Sequence, residues 1–167
     1  MADEVQIEQI YKIDEHLDEF SELLKQVVED GASIGFLPPL DLSEAKKYWG
    51  NILKQEVILF AARLNNKLVG SVQLHLCTKE NGIHRAEIAK LMTHPLHRKK
   101  GIGRSLMQKV EEQAVLEGRS LLLLDTREGD PSNSLYTSLG YIQADGSLTM
   151  QNLKMENWML LLFIIKN

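Results

Sequence analysis

The chain carries a single cysteine, Cys77, in its 167 residues. It can therefore form no intrachain disulfide and no cysteine-based zinc cluster; a small, buried, apolar role is the simplest one for Cys77. Long apolar runs are missing too. The longest, Trp158 to Ile165, falls far short of the roughly 20 residues that a membrane helix needs. There is no basic excess: 19 Lys and Arg against 23 Asp and Glu leave a formal net charge of −4, which argues against a nucleic-acid partner. The opening residues, MADEVQIEQ, are acidic and lack the basic and apolar regions of a secretory signal. No repeat, low-complexity tract or linker divides the sequence. One domain over residues 1–167, with a core that needs no staples, and a cytoplasmic location are expected.

What is present is concentrated between His84 and Gly118, which reads as a strand, a basic glycine-bearing turn and a long amphipathic helix. Pro95 cannot donate to a ladder, so the strand should end near His94. Ile102, Leu106, Met107, Val110 and Ala114 recur at helical spacing and form one apolar face. Gly118 stands where a left-handed C-terminal cap belongs. The turn itself is Arg98, Lys99, Lys100, Gly101, Ile102, Gly103 and Arg104. Glycine lets the backbone come close to a bound group, and a helix start offers unpaired N–H groups at the positive end of its dipole. Such a turn suits a pyrophosphate. An ordinary chain reversal before a helix is the other reading, open at this point. Two phosphate motifs are excluded. A nucleotide P-loop needs Lys and then Ser or Thr after its last glycine, where Arg104 and Ser105 stand. A dinucleotide fingerprint needs a third small residue where Leu106 stands.

Elsewhere, the imperfect alternation of Val5 to Tyr11 predicts a first strand. Asp14 is placed to cap a helix running to about Asp30, with Ile13, Leu17, Phe20, Leu24, Val27 and Val28 on its apolar side and Gly31 at its end. The apolar loop from Ala32 to Leu40, stiffened by Pro38 and Pro39, covers either a ligand cleft or the core. Asp41 and Glu44 resemble a capping box for a helix over Leu42 to Gln55. Val57 to Leu64 and Lys67 to Thr78 read as a hairpin turned by Asn65 and Asn66. Leu121 to Leu124 predict a strand covered on both faces that stops at Asp125 and Thr126. Ser132 to Leu139 suit a short helix and Trp158 to Lys166 a last strand, with Trp49 and Trp158 as core anchors. The five histidines suggest no metal site. His94 and His97, flanking Pro95 and Leu96 beside the basic turn, suit solvation or phosphate contact, and His84 a surface position at a hairpin end.

The order strand, Pro, Arg-x-x-Gly-x-Gly, helix resembles the acetyl-CoA motif of the GNAT superfamily of N-acetyltransferases. Leu135-Tyr136-Thr137-Ser138-Leu139-Gly140-Tyr141 resembles that family's tyrosine-bearing segment. Within the superfamily, GASIGFLPPLD, NGIHRAEIAKLM and LLLLDT resemble the tabtoxin-resistance type. The resemblance implies an α/β GNAT fold, a twisted mixed β-sheet of about six to seven strands flanked by about four α-helices. It also implies acetyl-CoA as co-substrate and direct transfer of the acetyl group to the amine of a small molecule, amino acid-like or antibiotic/toxin-like, in a ternary complex; a monomer or homodimer with no membrane partner is expected. Protein or peptide acetylation, and acyl-CoA sensing without catalysis, are the alternatives. In this frame the backbone of Leu91, Met92 and Thr93 pairs with the pantetheine arm, and the Met92 N–H polarises the thioester carbonyl. The turn from Arg98 through Arg104 cradles the pyrophosphate. One departure stands out: many members have an Asn seven residues before the tyrosine, where this chain has Gly129, and Asn133 is nearby but out of register.

Acetyl transfer needs a neutral amine, whereas an alkyl ammonium such as that of lysine titrates near 10.4. A base is therefore useful at neutral pH. Glu87, inside an apolar central strand, and Asp125, ending another, are the expected pair that binds and deprotonates the amine. A surface-facing Glu and a turn-capping Asp are the plainer readings. Tyr136 is the expected general acid toward the departing thiolate, or else a core aromatic.

Overall fold

The computed structural model of the protein describes residues 4–32, 34–144 and 158–165. Its elements follow the chain order expected from the sequence. They are β1 (Val5–Ile10), α1 (Leu17–Glu29), α2 (Leu42–Gly50), β2 (Val57–Leu64), β3 (Lys67–Leu76), β4 (Arg85–Thr93), α3 (Ile102–Leu116), β5 (Leu121–Arg127), α4 (Ser132–Ser138), β6 (Ile142–Gln143) and β7 (Trp158–Ile164). The strands form one seven-stranded mixed sheet in the order β1-β2-β3-β4-β5-β7-β6, in which only β4 and β5 run parallel. No helix among the described residues is long and apolar enough to cross a membrane.

Alternation along the strands divides the core in two. Ile58, Phe60, Val72, Leu74, Ala86 and Ile88 face α3, whose expected apolar stripe is buried at all five positions. Leu59, Ala61 and Met92 face the other way, toward α1 and α2, where Trp49 is fully buried against Phe20. Asn65 and Asn66, at φ 52° and 66°, close the β2–β3 hairpin as expected, since two consecutive left-handed residues match the twist of the paired strands. Gly118 takes the left-handed conformation past α3.

Local expectations fail in several places. Asp14 caps nothing: it opens a separate 3-10 turn, Asp14–His16, that precedes α1. Asp41 does stand at the start of α2, but without a side-chain capping hydrogen bond, and α2 ends at Gly50 rather than Gln55. The β5 strand does not stop at Asp125; it runs on to Arg127 because β7 pairs with it from Leu121–Ile164 to Arg127–Trp158. Nor is β5 covered on both faces. Leu122 and Leu124 are buried under α3, while Leu121 and Leu123 stay half-buried, since the core beneath α1 and α2 extends only over β1 to β4. The anchor role expected of the Trp158 side chain lies outside the described residues.

Two irregularities in β4 have no counterpart in the sequence pattern. Between the pairs Gln73–Ala89 and Ser71–Met92, β4 holds one residue more than β3, a bulge centred on Lys90 at φ 55°. The parallel ladder with β5 spans only Arg85–Leu121 to Glu87–Leu123. Beyond Glu87 the two strands part, and the β5-facing edge of β4 has no strand partner among the described residues.

Candidate active site

The split between β4 and β5 opens into a cleft of about 1240 Å³. One wall is β4 from Glu87 to Thr93, the other is β5 from Leu124 to Thr126 with the start of α4, and the turn before α3 forms the floor. The end of α1 and the loop at Ile34 and Gly35 close it on the side of α1.

Nine of the ten residues expected to hold the cofactor line this cleft: Leu91, Met92, Thr93, Arg98, Lys99, Gly101, Ile102, Gly103 and Arg104. Lys100 is not among the lining residues; it points into solvent. The Met92 and Ile102 side chains are buried in the two cores, Met92 in that beneath α1 and α2 and Ile102 in that beneath α3. Gly101 begins α3 at φ 78°, a conformation that costs a residue with a Cβ about 1–2 kcal/mol. The cations are anchored unequally. Arg98 pairs with Asp30 at 2.7 Å, and Arg104 donates to the Ser138 hydroxyl at 2.8 Å. The imidazole of His97 lines the cleft, whereas His94 is buried and its Nδ1 accepts the Leu96 N–H at 3.1 Å, so solvation does not describe it.

Glu87, Asp125 and Tyr136 also meet here. Glu87 and Asp125 reach solvent through the cleft, yet partial burial raises both above the usual carboxylate range. The Asp125 charge lifts Glu87 further, and the Lys90 ammonium opposes that lift. Tyr136 lies on α4, nearly buried, with its hydroxyl pushed above the ordinary phenol range by desolvation. Asn133 is engaged elsewhere: its Oδ1 accepts from the Thr126 hydroxyl at 2.8 Å and its Nδ2 donates to the Arg127 carbonyl at 2.9 Å, tying α4 to β5. Neither Asn133 nor Gly129 lines the cleft. His84 is exposed at the far end of β4, where its carbonyl accepts the N–H groups of Ser120 and Leu121. Among the described residues no three His, Cys, Asp or Glu side chains gather as metal ligands.

The profile of the acetyltransferase (GNAT) family matches residues 32–141, which span both the loop over the cleft and its two strands. The chain belongs to the GNAT acetyltransferase family. It is 31% identical over 115 residues to an uncharacterised N-acetyltransferase in the hisH-hisA intergenic region of Azospirillum brasilense, covering 67% of this chain and 68% of that protein. The fold recurs in yncA from Salmonella typhimurium, solved with its cofactor acetyl-CoA (TM-score 0.73, 14% identity, 96% of this chain and 95% of that one). It recurs again in an aminoglycoside 6'-N-acetyltransferase complexed with coenzyme A (TM-score 0.75, 17% identity, 97% and 98%).

Two charged residues of this GNAT cleft, of opposite sign, are among those that the sequence does not single out. Asp30 is one, because nothing in the sequence pairs a helix-end carboxylate with Arg98 68 positions later in the chain. Lys90 is the other. It sits in the bulge, half-buried, with its ammonium donating to the Ile34 carbonyl and lying 5.5 Å from the centroid of the Phe36 ring. A charged residue in the middle of an apolar strand was the available signal.

Proposed function

We propose that the protein is an acetyl-CoA-dependent N-acetyltransferase that acetylates the amine of a small molecule by direct attack in a ternary complex. The observation that carries this reading is the parting of β4 from β5, which leaves an unpartnered strand edge leading to a cationic, glycine-lined helix start. The residues fit the co-substrate. An edge with free backbone groups suits the amide-bearing pantetheine arm, and the N–H groups at the start of α3, with Arg98, Lys99 and Arg104 around them, suit a pyrophosphate. The backbone of Leu91, Met92 and Thr93 pairs with that arm, and the Met92 N–H supports the charge that develops on the thioester oxygen.

Glu87 and Asp125 hold the incoming ammonium and take its proton, directly or through water, which frees the lone pair for attack on the thioester carbon. The new C–N bond forms, the C–S bond breaks, Tyr136 gives its proton to the departing sulfur, and the second proton shed by the acylated nitrogen restores the phenol. A phenol is protonated at neutral pH, as a donor must be, and desolvation raises that of Tyr136 further. No free cysteine lines the cleft among the described residues, in keeping with transfer that avoids an acetyl-enzyme.

A small acceptor is favoured over a peptide because the loop at Ile34 and Gly35 lines the cleft and is tied down to Lys90, which covers part of the acceptor side. The tabtoxin-resistance type is the subtype that the quoted segments favour. A single domain over 1–167, working in the cytoplasm as a monomer or homodimer, completes the reading. The test is free-thiol release from acetyl-CoA against amino acids, polyamines, aminoglycosides and short peptides, with Glu87→Gln and Asp125→Asn beside the wild type. Turnover on one small-molecule class that the substitutions abolish supports the proposal. Turnover on peptides alone moves the acceptor to protein, and acetyl-CoA binding without transfer to any amine points to an acyl-CoA sensor.

A further inference from the structure

Acetyl transfer as described leaves Lys90, a charged group lining the cleft, without a task. Its backbone is held at φ 55°, a conformation that a non-glycine residue keeps only where the surroundings enforce it. The bulge aims the side chain at the loop over the cleft, where the ammonium donates to the Ile34 carbonyl and faces the Phe36 ring. Gly35 makes room for it: a Cβ there would stand 2.8 Å from Nζ.

An ammonium has three donors. One carbonyl and one aromatic face do not satisfy them, and Lys90 forms no ion pair among the described residues. Gln73 and His75 of neighbouring β3 are engaged elsewhere, since Gln73 donates to the Tyr48 hydroxyl of α2 at 3.0 Å and bonds His75 at 2.8 Å. A half-buried cation therefore faces the same cleft as Glu87 and Asp125. Burial favours its neutral form and the Glu87 charge resists that, so the two groups lie within electrostatic reach.

We propose that Lys90 is a specificity-determining residue that binds the carboxylate of a zwitterionic acceptor, so that the enzyme acetylates amino acids whose carboxylate lies close to the reacting amine. This inference rests on the acetyltransferase reading above. A plain amine would satisfy Glu87 and Asp125 and leave Lys90 uncompensated. A polycation such as a polyamine or aminoglycoside would set a second positive charge against it in a partly desolvated site. An amino acid completes both ends, with the ammonium on the carboxylates and the carboxylate on Lys90.

The experiment compares each of several free amino acids with its amide and its decarboxylated amine, reading kcat/KM from thiol release at saturating acetyl-CoA. The wild type prefers the acid. In Lys90→Met, which keeps an unbranched apolar stem beside Phe36, the ratio of acid to amide falls about 10- to 100-fold, as expected for loss of one charge-assisted contact. Lys90→Arg retains part of the preference, which a purely structural role for Lys90 would not produce. A preference for the amide or amine in the wild type, or an acid-to-amide ratio unchanged in Lys90→Met, overturns the inference while leaving acetyl transfer intact. Failure of every amine to raise thiol release above the amine-free control removes the acetyltransferase reading and this inference together.

Discussion

Asp125 stands two residues beyond Leu123, the register partner of Glu87, so both carboxylates project from one face of the sheet on either side of its split. That relationship gives Glu87 two reasons to titrate high, its partial burial and the Asp125 charge, against the pull of Lys90. If Glu87 is the base, the acid limb of kcat/KM lies above the ordinary carboxylate range. Asp125→Asn removes one of the raising causes. The limb should then move to lower pH, whatever happens to the maximal rate, in a kcat/KM profile recorded at saturating acetyl-CoA. A limb that stays in place or moves upward would take the titrating base away from Glu87.

The same shifts set a stability dependence. A carboxyl whose folded-state pKa is raised contributes stability that is full below its unfolded pKa and is lost as pH rises through the folded one. At pH 7 both ionised carboxylates therefore weigh against the fold. Glu87→Gln and Asp125→Asn should each raise Tm at pH 7 by roughly 1–2 °C, a small gain because solvent in the cleft screens both groups. Turnover should collapse in the same proteins. Melts at pH 4, where the wild-type carboxyls take up protons, should show the gain shrinking.

The parts of this architecture that follow from periodicity were legible in the sequence. The five-residue stripe of α3, the Asn65-Asn66 hairpin and the end of β4 before Pro95 each follow from local residue chemistry, and the structure has all three. The residues of the turn before α3 were legible for the same reason, since glycine and cation content is a local property. Lys100 was the exception, because which of three neighbouring cations faces inward depends on a backbone rotation at Lys99, at φ 62°, that composition does not encode. The bulge at Lys90 and the parting of β4 from β5 were illegible because both are decided between strands. A ladder's register depends on two segments at once, and the apolar alternation of β4 reads the same with or without an inserted residue. The loop's clasp on Lys90 depends on those irregularities and was hidden with them.

Tyr136 should separate chemistry from binding. Its ring packs beside Tyr141, with centroids 6.1 Å apart, and Tyr136→Phe keeps that packing while deleting the hydroxyl. If the phenol protonates the leaving sulfur, kcat should fall about 100-fold at neutral pH while the affinity for acetyl-CoA changes little. Stopped-flow or steady-state kinetics with equilibrium binding on the same preparation decides this. Full turnover with bound co-substrate would leave Tyr136 a core aromatic.

Two glycines near the cleft should fail in opposite ways. On Gly70, a Cβ would meet Ile102 Cγ2 at 2.9 Å and the Met92 carbonyl oxygen at 3.0 Å, so it would wedge α3 away from β3 where neither neighbour can yield cheaply. Gly70→Ala should cost about 1–3 kcal/mol of stability, the usual penalty for overpacking a filled core. On Gly103, a Cβ would meet Leu135 Cδ2 at 3.2 Å, the far end of a side chain that can give way. Gly103→Ala should therefore melt close to the wild type. Its methyl would nonetheless stand at the start of α3, where the proposed pyrophosphate site needs a close backbone, and acetyl-CoA should bind at least about 10-fold more weakly. Thermal melts and calorimetric titration of both proteins with acetyl-CoA check the pair. If Gly103→Ala binds acetyl-CoA as the wild type does, the phosphates lie elsewhere, and the start of α3 is an ordinary chain reversal.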